Sequence, residues 1–243
     1  MSDDARYYQR TILREELPST ILGETRSLRI YLPPGYNELL SYPVIYCQDG
    51  EQFFNFGRIA TTMTRCILDA DMEPAIIVGV DVNVATRTAE YAPEGDRHAA
   101  YCRFFADELL PYIENRYPIR AERSDRILAG DSLGGTVSLH LALAYPSLFC
   151  RVISLSGAFF ASTREQILAA EDLSWLEMYM LIGLDEEEVK TERGTFDFVR
   201  ENRETLAALN SKKAALHYLE KPGKHLWGFW QGELPAALHY FLG

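Results

Sequence analysis

The sequence predicts an α/β fold in which a mostly parallel central sheet carries helices on both faces. Short apolar segments of strand length alternate along the chain with longer segments of helical periodicity, which is typical of parallel sheets. Residues 75–80 form a run without a polar side chain, as expected for a strand that is covered on both faces. A glycine-rich turn at residues 130–135 lies where another predicted strand passes directly into a helix.

The composition narrows the class of protein further. A length of 243 residues predicts a single domain spanning 1–243, with enough chain to bury a core without disulfides. The formal net charge of −11 argues against a nucleic-acid partner, because phosphate binding needs clustered Lys and Arg. No apolar run approaches the roughly 20 residues that cross a bilayer, and the acidic N-terminus does not have the layout of a secretion signal. Scattered cysteines predict reduced thiols in a cytoplasmic protein: Cys47, Cys66, Cys102 and Cys150.

Three strands are predicted in the first third of the chain. Residues 27–32 alternate in polarity and end at a Pro-Pro-Gly turn, which indicates a strand followed by a turn. Residues 43–47 are a short apolar run that ends at Gln48-Asp49-Gly50, and residues 75–80 are the covered strand described above.

Helices and strands then follow in turn. A helix is predicted over residues 99–117, where apolar residues recur at helical spacing and Pro118 follows. Residues 126–129 form a brief apolar strand, and residues 133–145 form a helix that Pro146 ends.

The alternation continues to the C-terminus. Further strands are predicted at 151–155, 177–182 and 214–219. One helical face is formed by Phe196, Val199, Leu206 and Leu209, and the last helix covers 227–241, with a kink expected at Pro235. Only about 20 residues separate the strands near 155 and 177, which is short for a lid domain and predicts an open cleft. Ligands of such sheets bind at the carboxyl ends of the strands, so residues that follow strands are the site candidates.

The turn at residues 130–134 has the pattern G-x-S-x-G, with Ser132 at its centre. In a strand–turn–helix setting the serine is held in a strained backbone conformation that lifts its hydroxyl above the sheet. Glycines two residues on either side let strand and helix approach without a Cβ clash. We therefore predict Ser132 as a nucleophile and the backbone amide of Leu133 as a donor to an oxyanion. A turn that serves packing alone is the alternative.

A serine nucleophile needs a histidine base, and elimination leaves His225. The chain order serine, acid, histidine of this fold class excludes His98. His140 lies eight residues along the helix from the serine, about 12 Å away at 1.5 Å per residue. His217 and His239 fall inside a predicted strand and a predicted helix. His225 follows the last strand directly, at the sheet edge where the serine emerges.

The carboxylate that orients this histidine is expected after the strand at 177–182. Four acids stand there in a row from Asp185 to residue 188, and only one that turns inward can hold the imidazole tautomer. The offset of three residues after Gly183 selects Glu186. Asp185 and Glu187 remain alternatives.

A second oxyanion donor is expected in the loop after an earlier central strand. The strand at 43–47 leads to Asp49-Gly50, where the glycine allows a close backbone approach. We predict the backbone N–H of Glu51 as this donor, with a plain tight turn as the alternative.

An ordered series of segments supports a family resemblance. The segments are RIYLPPGY at 29–36, YPVIYCQDG at 42–50, RTAEYAP at 87–93, FADELLP at 105–111, GDSLGG at 130–135 and KHLWGFW at 224–230. From about residue 20 to the C-terminus the chain resembles the esterase D-like branch of the α/β-hydrolases, and within it the small enterochelin- and bacillibactin-type siderophore esterases. The resemblance implies the α/β-hydrolase fold, and the short spacing between the strands near 155 and 177 predicts that this fold carries no large lid domain. It also implies Ser132 as nucleophile, His225 as base and an acid within 183–188, with oxyanion amides from Leu133 and the residue after Asp49-Gly50.

The resulting expectation is a serine carboxylic-ester hydrolase that works through an acyl-enzyme. Its substrate is expected to be a small-molecule ester, either a siderophore trilactone or another bulky ester. An acyltransferase of the same fold and a feruloyl- or S-formylglutathione-type esterase are the alternatives. Neither a cofactor nor a metal is implied, because backbone amides supply the electrostatic stabilisation. No membrane partner is expected, and the oligomeric state stays open, with a homodimer as one option.

Two residues are predicted to contact the substrate. Arg87 follows a strand end and is expected to steer an acidic acyl or catecholate group, and Trp227 is expected to line the cleft. The cleft is expected to take its aromatic surface from about half of six residues near the catalytic loops: Phe53, Phe54, Phe159, Phe160, Trp227 and Trp230.

Overall fold

Within residues 9–191 and 193–243, which the structure describes, the computed structural model has an eight-stranded central sheet and a separate two-stranded hairpin. In chain order the strands are β1 (Thr11–Ser19), β2 (Glu24–Leu32), β3 (Val44–Cys47), β4 (Ile76–Val80), β5 (Arg126–Asp131), β6 (Arg151–Leu155), β7 (Glu177–Gly183), β8 (Val189–Thr191), β9 (Gly194–Phe196) and β10 (Ala215–Lys221).

The central sheet is parallel over most of its width. Its spatial order is β1-β2-β4-β3-β5-β6-β7-β10. Neighbours from β4 to β10 are parallel, whereas β2 is antiparallel to both β1 and β4. The predicted mostly parallel sheet is thereby confirmed, and each predicted strand is present with ends shifted by three residues at most. Strand β1 was not predicted, because most of its residues are exposed and its apolar residues do not alternate.

Helices connect the parallel strands. They are α1 (Gly50–Asn55), α2 (Ile59–Ala70), α3 (Arg87–Tyr91), α4 (His98–Phe104), α5 (Leu110–Glu114), α6 (Leu133–Ala144), α7 (Ala161–Ala169), α8 (Phe198–Ser211) and α9 (Trp227–Leu242). A π-helical turn, Phe105–Leu109, joins α4 to α5. The helix predicted at 99–117 is therefore present with one widened turn, and it ends three residues early, at Glu114. A 3₁₀ turn, Arg123–Asp125, precedes β5.

The prediction that Phe196 shares a helix with Val199 was wrong. Helix α8 begins only at Phe198, because the Asp197 carboxylate caps it by accepting a hydrogen bond from the Arg200 N–H at 2.9 Å. Phe196 instead belongs to strand β9, which pairs with β8.

The core lies on both faces of the sheet. Successive strand residues point to opposite faces, so Tyr46 and Leu128 belong to one apolar cluster, and Ile45 and Ile127 to the other. Helices α1, α2 and α9 contribute to the second cluster, and α3 to α8 contribute to the first. Among the helices of the described residues, none has the length and apolarity that spanning a bilayer requires.

Two glycines let the loops at the carboxyl edge approach their neighbours. A Cβ atom on Gly130 would lie 2.1 Å from the carbonyl carbon of Gly134, and one on Gly50 would lie 2.5 Å from that of Gly79. No larger residue fits at such distances from backbone atoms. The first contact confirms the close approach predicted for the strand and helix around the G-x-S-x-G turn.

Two buried carboxyl groups, Asp49 and Asp131, lie at the same edge with the partly exposed Arg87. Arg87 donates from Nε to Asp49 Oδ1 at 2.7 Å and from Nη2 to Asp49 Oδ2 at 2.8 Å. Asp131, the last residue of β5, is 4% exposed, and its Oδ1 has no hydrogen-bond partner among the described residues. Burial and the nearby Asp49 carboxylate raise the pKa of Asp131 to about 7, although Arg87 opposes the shift.

We expect Asp131→Asn to remove a pH dependence of stability. Asp131 binds its proton more tightly in the folded chain, with a pKa of about 7, than in the unfolded chain, where the ordinary value is 3.8. Its contribution to the free energy of unfolding therefore falls as the pH rises through this window and is constant above it.

Urea unfolding of wild type and variant from about pH 4 to 8 measures this effect. The free energy of unfolding of Asp131→Asn relative to that of wild type should rise with pH up to about pH 7 and stay constant above it. Asp96→Asn, which removes an exposed carboxylate, should keep the wild-type slope. Parallel curves for wild type and Asp131→Asn would contradict the expectation.

Candidate active site

Ser132 occupies the sharp turn between β5 and α6. Its backbone angles, φ 51° and ψ −123°, lie in a region that non-glycine residues rarely adopt, and such residues cost about 1–3 kcal/mol each. Two hydrogen bonds hold the turn: the Ser132 N–H donates to the Leu155 carbonyl, and the Ser132 carbonyl accepts from the Ala158 N–H, both at 3.0 Å. The predicted strand–turn–helix setting is therefore present, with the serine partly exposed.

The loops that follow β7 and β10 run side by side. Gly183 is paired with Lys221 in the parallel register. The bonding continues beyond the strands, because the Leu184 N–H donates to the Lys221 carbonyl at 2.8 Å and the Asp185 N–H donates to the Gly223 carbonyl at 3.0 Å. The acid-rich loop and the histidine loop are thus held together by their backbones.

His225 projects from the second of these loops toward the serine. Its Nε2 lies 3.0 Å from Ser132 Oγ. The imidazole is packed between two aromatic rings: Phe198 stacks on it at 4.7 Å and 10°, and Trp230 meets it edge-on at 4.9 Å and 84°. Only 15% of the side chain is exposed, so the ring has little room to turn away from the serine.

Glu186 lies behind this imidazole and is fully buried. Its Oε2 lies 2.6 Å from His225 Nδ1. The other oxygen, Oε1, accepts from the Gly183 N–H at 3.0 Å and from the Ser156 hydroxyl at 2.7 Å. Ser156 Oγ in turn accepts from Trp230 Nε1 at 2.8 Å. Both carboxylate oxygens therefore have partners, and the same tryptophan contacts the histidine and the serine behind the acid.

The structure thus brings Glu186 to His225, whereas Asp185 and Glu187 are exposed. A carboxylate at Nδ1 favours the tautomer that carries its proton there. Nε2 is then an acceptor that faces the Ser132 hydroxyl. This arrangement can take a proton from Ser132 and return it.

The two predicted oxyanion amides lie at the starts of neighbouring helices. Among the described residues, neither the Leu133 N–H nor the Glu51 N–H donates to a protein acceptor. A Cβ atom on Gly134 would lie 3.2 Å from Asp49 Oδ2, so the loop after β3 touches the first turn of α6. The Glu51 side chain is 64% exposed, and its carboxylate lies 3.4 Å from Arg29 Nη2.

A cavity of about 370 Å³ opens beside Ser132 and His225. Its walls come from α3 and the residues before it, the β8–β9 hairpin and the start of α8. Three cationic side chains line it although the chain is acidic: Arg87, Lys190 and Arg193. Phenylalanine rings form an apolar wall: Phe160, Phe196 and Phe198. No three His, Cys, Asp or Glu side chains of the described residues are grouped as metal ligands.

The residues predicted to contact substrate lie in different surroundings. Arg87 lines the cavity, but its Nε and Nη2 already donate to Asp49. Trp227 does not line it: its Nε1 donates to Gln52 Oε1 at 3.1 Å, and its ring meets Phe53 edge-on at 4.8 Å.

Of the six aromatic residues considered for the cleft, Phe160 lines this cavity. Phe53, Phe159 and Trp230 are instead buried in the core at 3% exposure or less. Proximity in sequence to a catalytic loop does not determine on which side of the sheet a ring packs.

Two parts of the site were missed in the sequence. One is Ser156, which directly follows β6 and has φ 51°. Its position at a strand end, immediately before a glycine, is the sequence feature that could have indicated a role in the site. The β8–β9 hairpin carries Lys190, Arg193 and Phe196, but its short, mostly polar strands have no apolar alternation that would predict them.

Known proteins resemble the chain in sequence. The protein YjcH of Bacillus subtilis (strain 168) is 36% identical over 234 residues, which cover 96% of this chain and 98% of that protein. The iron(III) salmochelin esterase of Escherichia coli O6:H1 (strain CFT073) is 29% identical over 170 residues, covering 66% of this chain and 40% of that protein.

Solved structures share the fold. A ferulic acid esterase superposes with a TM-score of 0.82 at 20% identity, over 96% of this chain and 98% of its own. The enterochelin esterase of Shigella flexneri also gives a TM-score of 0.82, at 21% identity, over 95% of this chain and 57% of its own. These matches confirm the α/β-hydrolase fold that the resemblance implied.

The family model described as "Putative esterase" matches residues 19–241, nearly the whole chain. Its extent agrees with the predicted resemblance, which began near residue 20. The chain belongs to this esterase family and is an ester-hydrolysing enzyme of the α/β-hydrolase fold.

Proposed function

We propose that Ser132, His225 and Glu186 are the catalytic triad of a serine ester hydrolase that works through an acyl-enzyme. The observation that carries the proposal is the continuous chain from Glu186 Oε2 through both imidazole nitrogens to Ser132 Oγ, with steps of 2.6 and 3.0 Å. Hydrogen-bonded contact of nucleophile, base and orienting acid is what activation of a serine requires.

In the first half-reaction Ser132 Oγ bonds to the ester carbonyl carbon while its proton passes to His225 Nε2. The carbonyl π-electrons move to oxygen, and the oxyanion accepts hydrogen bonds from the Leu133 and Glu51 amides. As the tetrahedral intermediate collapses, the bond to the alkoxide breaks and the histidine gives that alkoxide its proton. The products are the free alcohol and an acyl-serine ester.

Water then repeats the sequence on the acyl-enzyme. His225 takes a proton from the water as its oxygen attacks the acyl carbon, and the same two amides hold the second oxyanion. The proton finally returns to Ser132 Oγ, which leaves the free acid. Glu186 orients the imidazole and stabilises the imidazolium that forms twice in each cycle.

The cavity supports a bulky acidic ester as substrate. Its volume of about 370 Å³ falls within the range of small-molecule sites, and its phenylalanine wall faces cationic side chains. Two proteins similar to the chain are an iron(III) salmochelin esterase and an iron(III) enterobactin esterase. We therefore propose a catecholate-bearing ester of the siderophore trilactone type. A comparison of substrates would have to exclude a preference for simple, feruloyl or thioester substrates. It would also have to exclude acyl transfer to an added alcohol.

We expect Ser132→Ala to lower kcat on a nitrophenyl ester by a factor on the order of 10⁶, because nucleophile and base act as a unit. Glu186→Gln should lower kcat by about 10⁴, since the amide no longer holds the productive tautomer. Steady-state kinetics with circular dichroism as a check on folding measures both. Glu187→Gln, the exposed neighbour, is the matched control and should keep wild-type kcat. Near wild-type activity in Ser132→Ala would refute the mechanism.

We expect neutralisation of the hairpin cations to act on acidic substrates alone. In Lys190→Met with Arg193→Met, kcat/KM for a dihydroxybenzoyl-serine trilactone should fall about tenfold, as the loss of about 1.4 kcal/mol of charge attraction implies. A neutral nitrophenyl ester should change less than about twofold. Lys213→Met, at an exposed lysine of the loop before β10, is the control. Equal losses on both esters, or a wild type that prefers a feruloyl ester to the trilactone, would contradict the proposed substrate class.

A further inference from the structure

The loop between β3 and α1 receives three polar contacts from the segment that contains α3 and α4. The Asp49 N–H donates to the Tyr91 hydroxyl at 3.1 Å. The Asp49 carboxylate accepts both donors of the Arg87 fork, and the Tyr101 hydroxyl donates to Gln48 Oε1 at 2.5 Å. Glu51, whose amide is the second proposed oxyanion donor, is two residues beyond Asp49.

The loop needs this external support because it does not cap its own helix. Asp49 precedes α1 with φ 50° and ψ 50°, a left-handed conformation that is uncommon for a residue other than glycine. Its carboxylate makes no hydrogen bond to the first turn of α1, because it is turned toward Arg87. Contacts from α3 therefore hold the backbone conformation of Asp49, and this conformation determines where the Glu51 amide lies.

Helix α3 is itself fixed on its other side. Glu90 is fully buried, and its carboxylate accepts from both terminal nitrogens of Arg26 on β2, at 2.9 and 3.2 Å. Arg97 Nη2 lies 3.2 Å from the same carboxylate. A helix of only five residues is thus tied at once to the sheet and to the loop after β3.

Charge makes Arg87 hard to replace. Asp49 is 1% exposed and stands near the buried Asp131. Without the guanidinium, the Asp49 carboxylate would lose its cationic partner while the buried Asp131 stays nearby. A buried carboxylate without its partner is strongly unfavourable, so Asp49 would move, and the turn that presents the Glu51 amide would move with it.

We propose that Arg87 and Tyr91 of α3 are positioning residues that hold the second oxyanion donor through Asp49. The proposal rests on the proposed function, since it assigns the held amide to the oxyanion. It explains why the conspicuous Arg-Thr-Ala-Glu-Tyr sequence lies beside the nucleophile, and it changes the role expected of Arg87 from recognition of an acidic substrate to support of the transition state.

The two roles of Arg87 make different kinetic predictions. A positioning residue acts on every ester, lowers kcat and leaves KM almost unchanged, because the bound ester has no oxyanion and the charge develops only on the way to the tetrahedral intermediate. A recognition residue acts on acidic esters alone, and chiefly on KM. The affinity of a trifluoromethyl ketone, which forms a tetrahedral adduct on serine, should fall in parallel with kcat/KM only in the first case.

The experiment compares Arg87→Met, Asp49→Asn and Tyr91→Phe on a neutral nitrophenyl ester and on an acidic ester. Loss of one oxyanion donor lowers kcat by about 10²–10³, so we expect up to about 10²-fold from Arg87→Met and Asp49→Asn and about tenfold from Tyr91→Phe, equal on both esters. The ketone affinity should fall by the same factors. The double variant Arg87→Met with Asp49→Asn should lose less than the product of the single losses.

Arg126→Met is the matched control, since Arg126 is a buried arginine paired with Glu114 at 2.6 Å at the amino end of β5. It should lower stability without selectively lowering kcat. If Arg87→Met does not fold, Tyr91→Phe and Asp49→Asn carry the test. Losses confined to the acidic ester, or kcat in the α3 variants equal to that of Arg126→Met, would overturn the proposal. Activity that survives Ser132→Ala would instead refute the proposed function itself.

Discussion

The candidate site depends on one geometric constraint: the carboxyl ends of β5, β7 and β10 lie at one edge of a parallel sheet. Parallel pairing places Gly183 beside Lys221, and two further backbone hydrogen bonds hold the loops that follow them together. Glu186 and His225 are therefore brought into contact although they are far apart in sequence. The same edge carries Ser132 within 3.0 Å of the imidazole. A shift in the register of β7 and β10 would separate Glu186 from His225.

Strain at this edge is shared among several loops. Asp49, Ser132 and Ser156, which follow β3, β5 and β6, all have φ near 50°. Each is held by hydrogen bonds from other elements: Asp49 by Arg87 and Tyr91, Ser132 by Leu155 and Ala158, and Ser156 by Trp230 and Glu186. Left-handed residues turn the chain sharply away from the strand, which is how backbone amides and side chains come to face one cavity. The surrounding core, buried on both faces of the sheet, makes such strain tolerable.

The sequence predicted the parts of the molecule that local pattern and chain order determine. The apolar run of β4 and the glycines around Ser132 are local signals, and His225 followed from its place after the last strand. The choice among three acids needed the direction of a side chain, which the offset from Gly183 indicated and the structure shows for Glu186. The pairing of Arg87 with Asp49, nearly forty residues apart, is a tertiary contact with no local signature. For the same reason Trp227 was expected in the cleft, whereas it packs on Phe53 outside the cavity lining.

Covalent labelling tests the central claim most directly. A fluorophosphonate reacts with a serine only where a base activates the hydroxyl and amides stabilise the phosphonyl oxygen. Digestion and mass spectrometry of the treated protein should find one adduct, on the peptide that contains Ser132, and a His225→Ala variant should react far more slowly. An unlabelled Ser132, or an adduct on another serine that forms at the same rate in wild type and His225→Ala, would show that His225 does not activate Ser132.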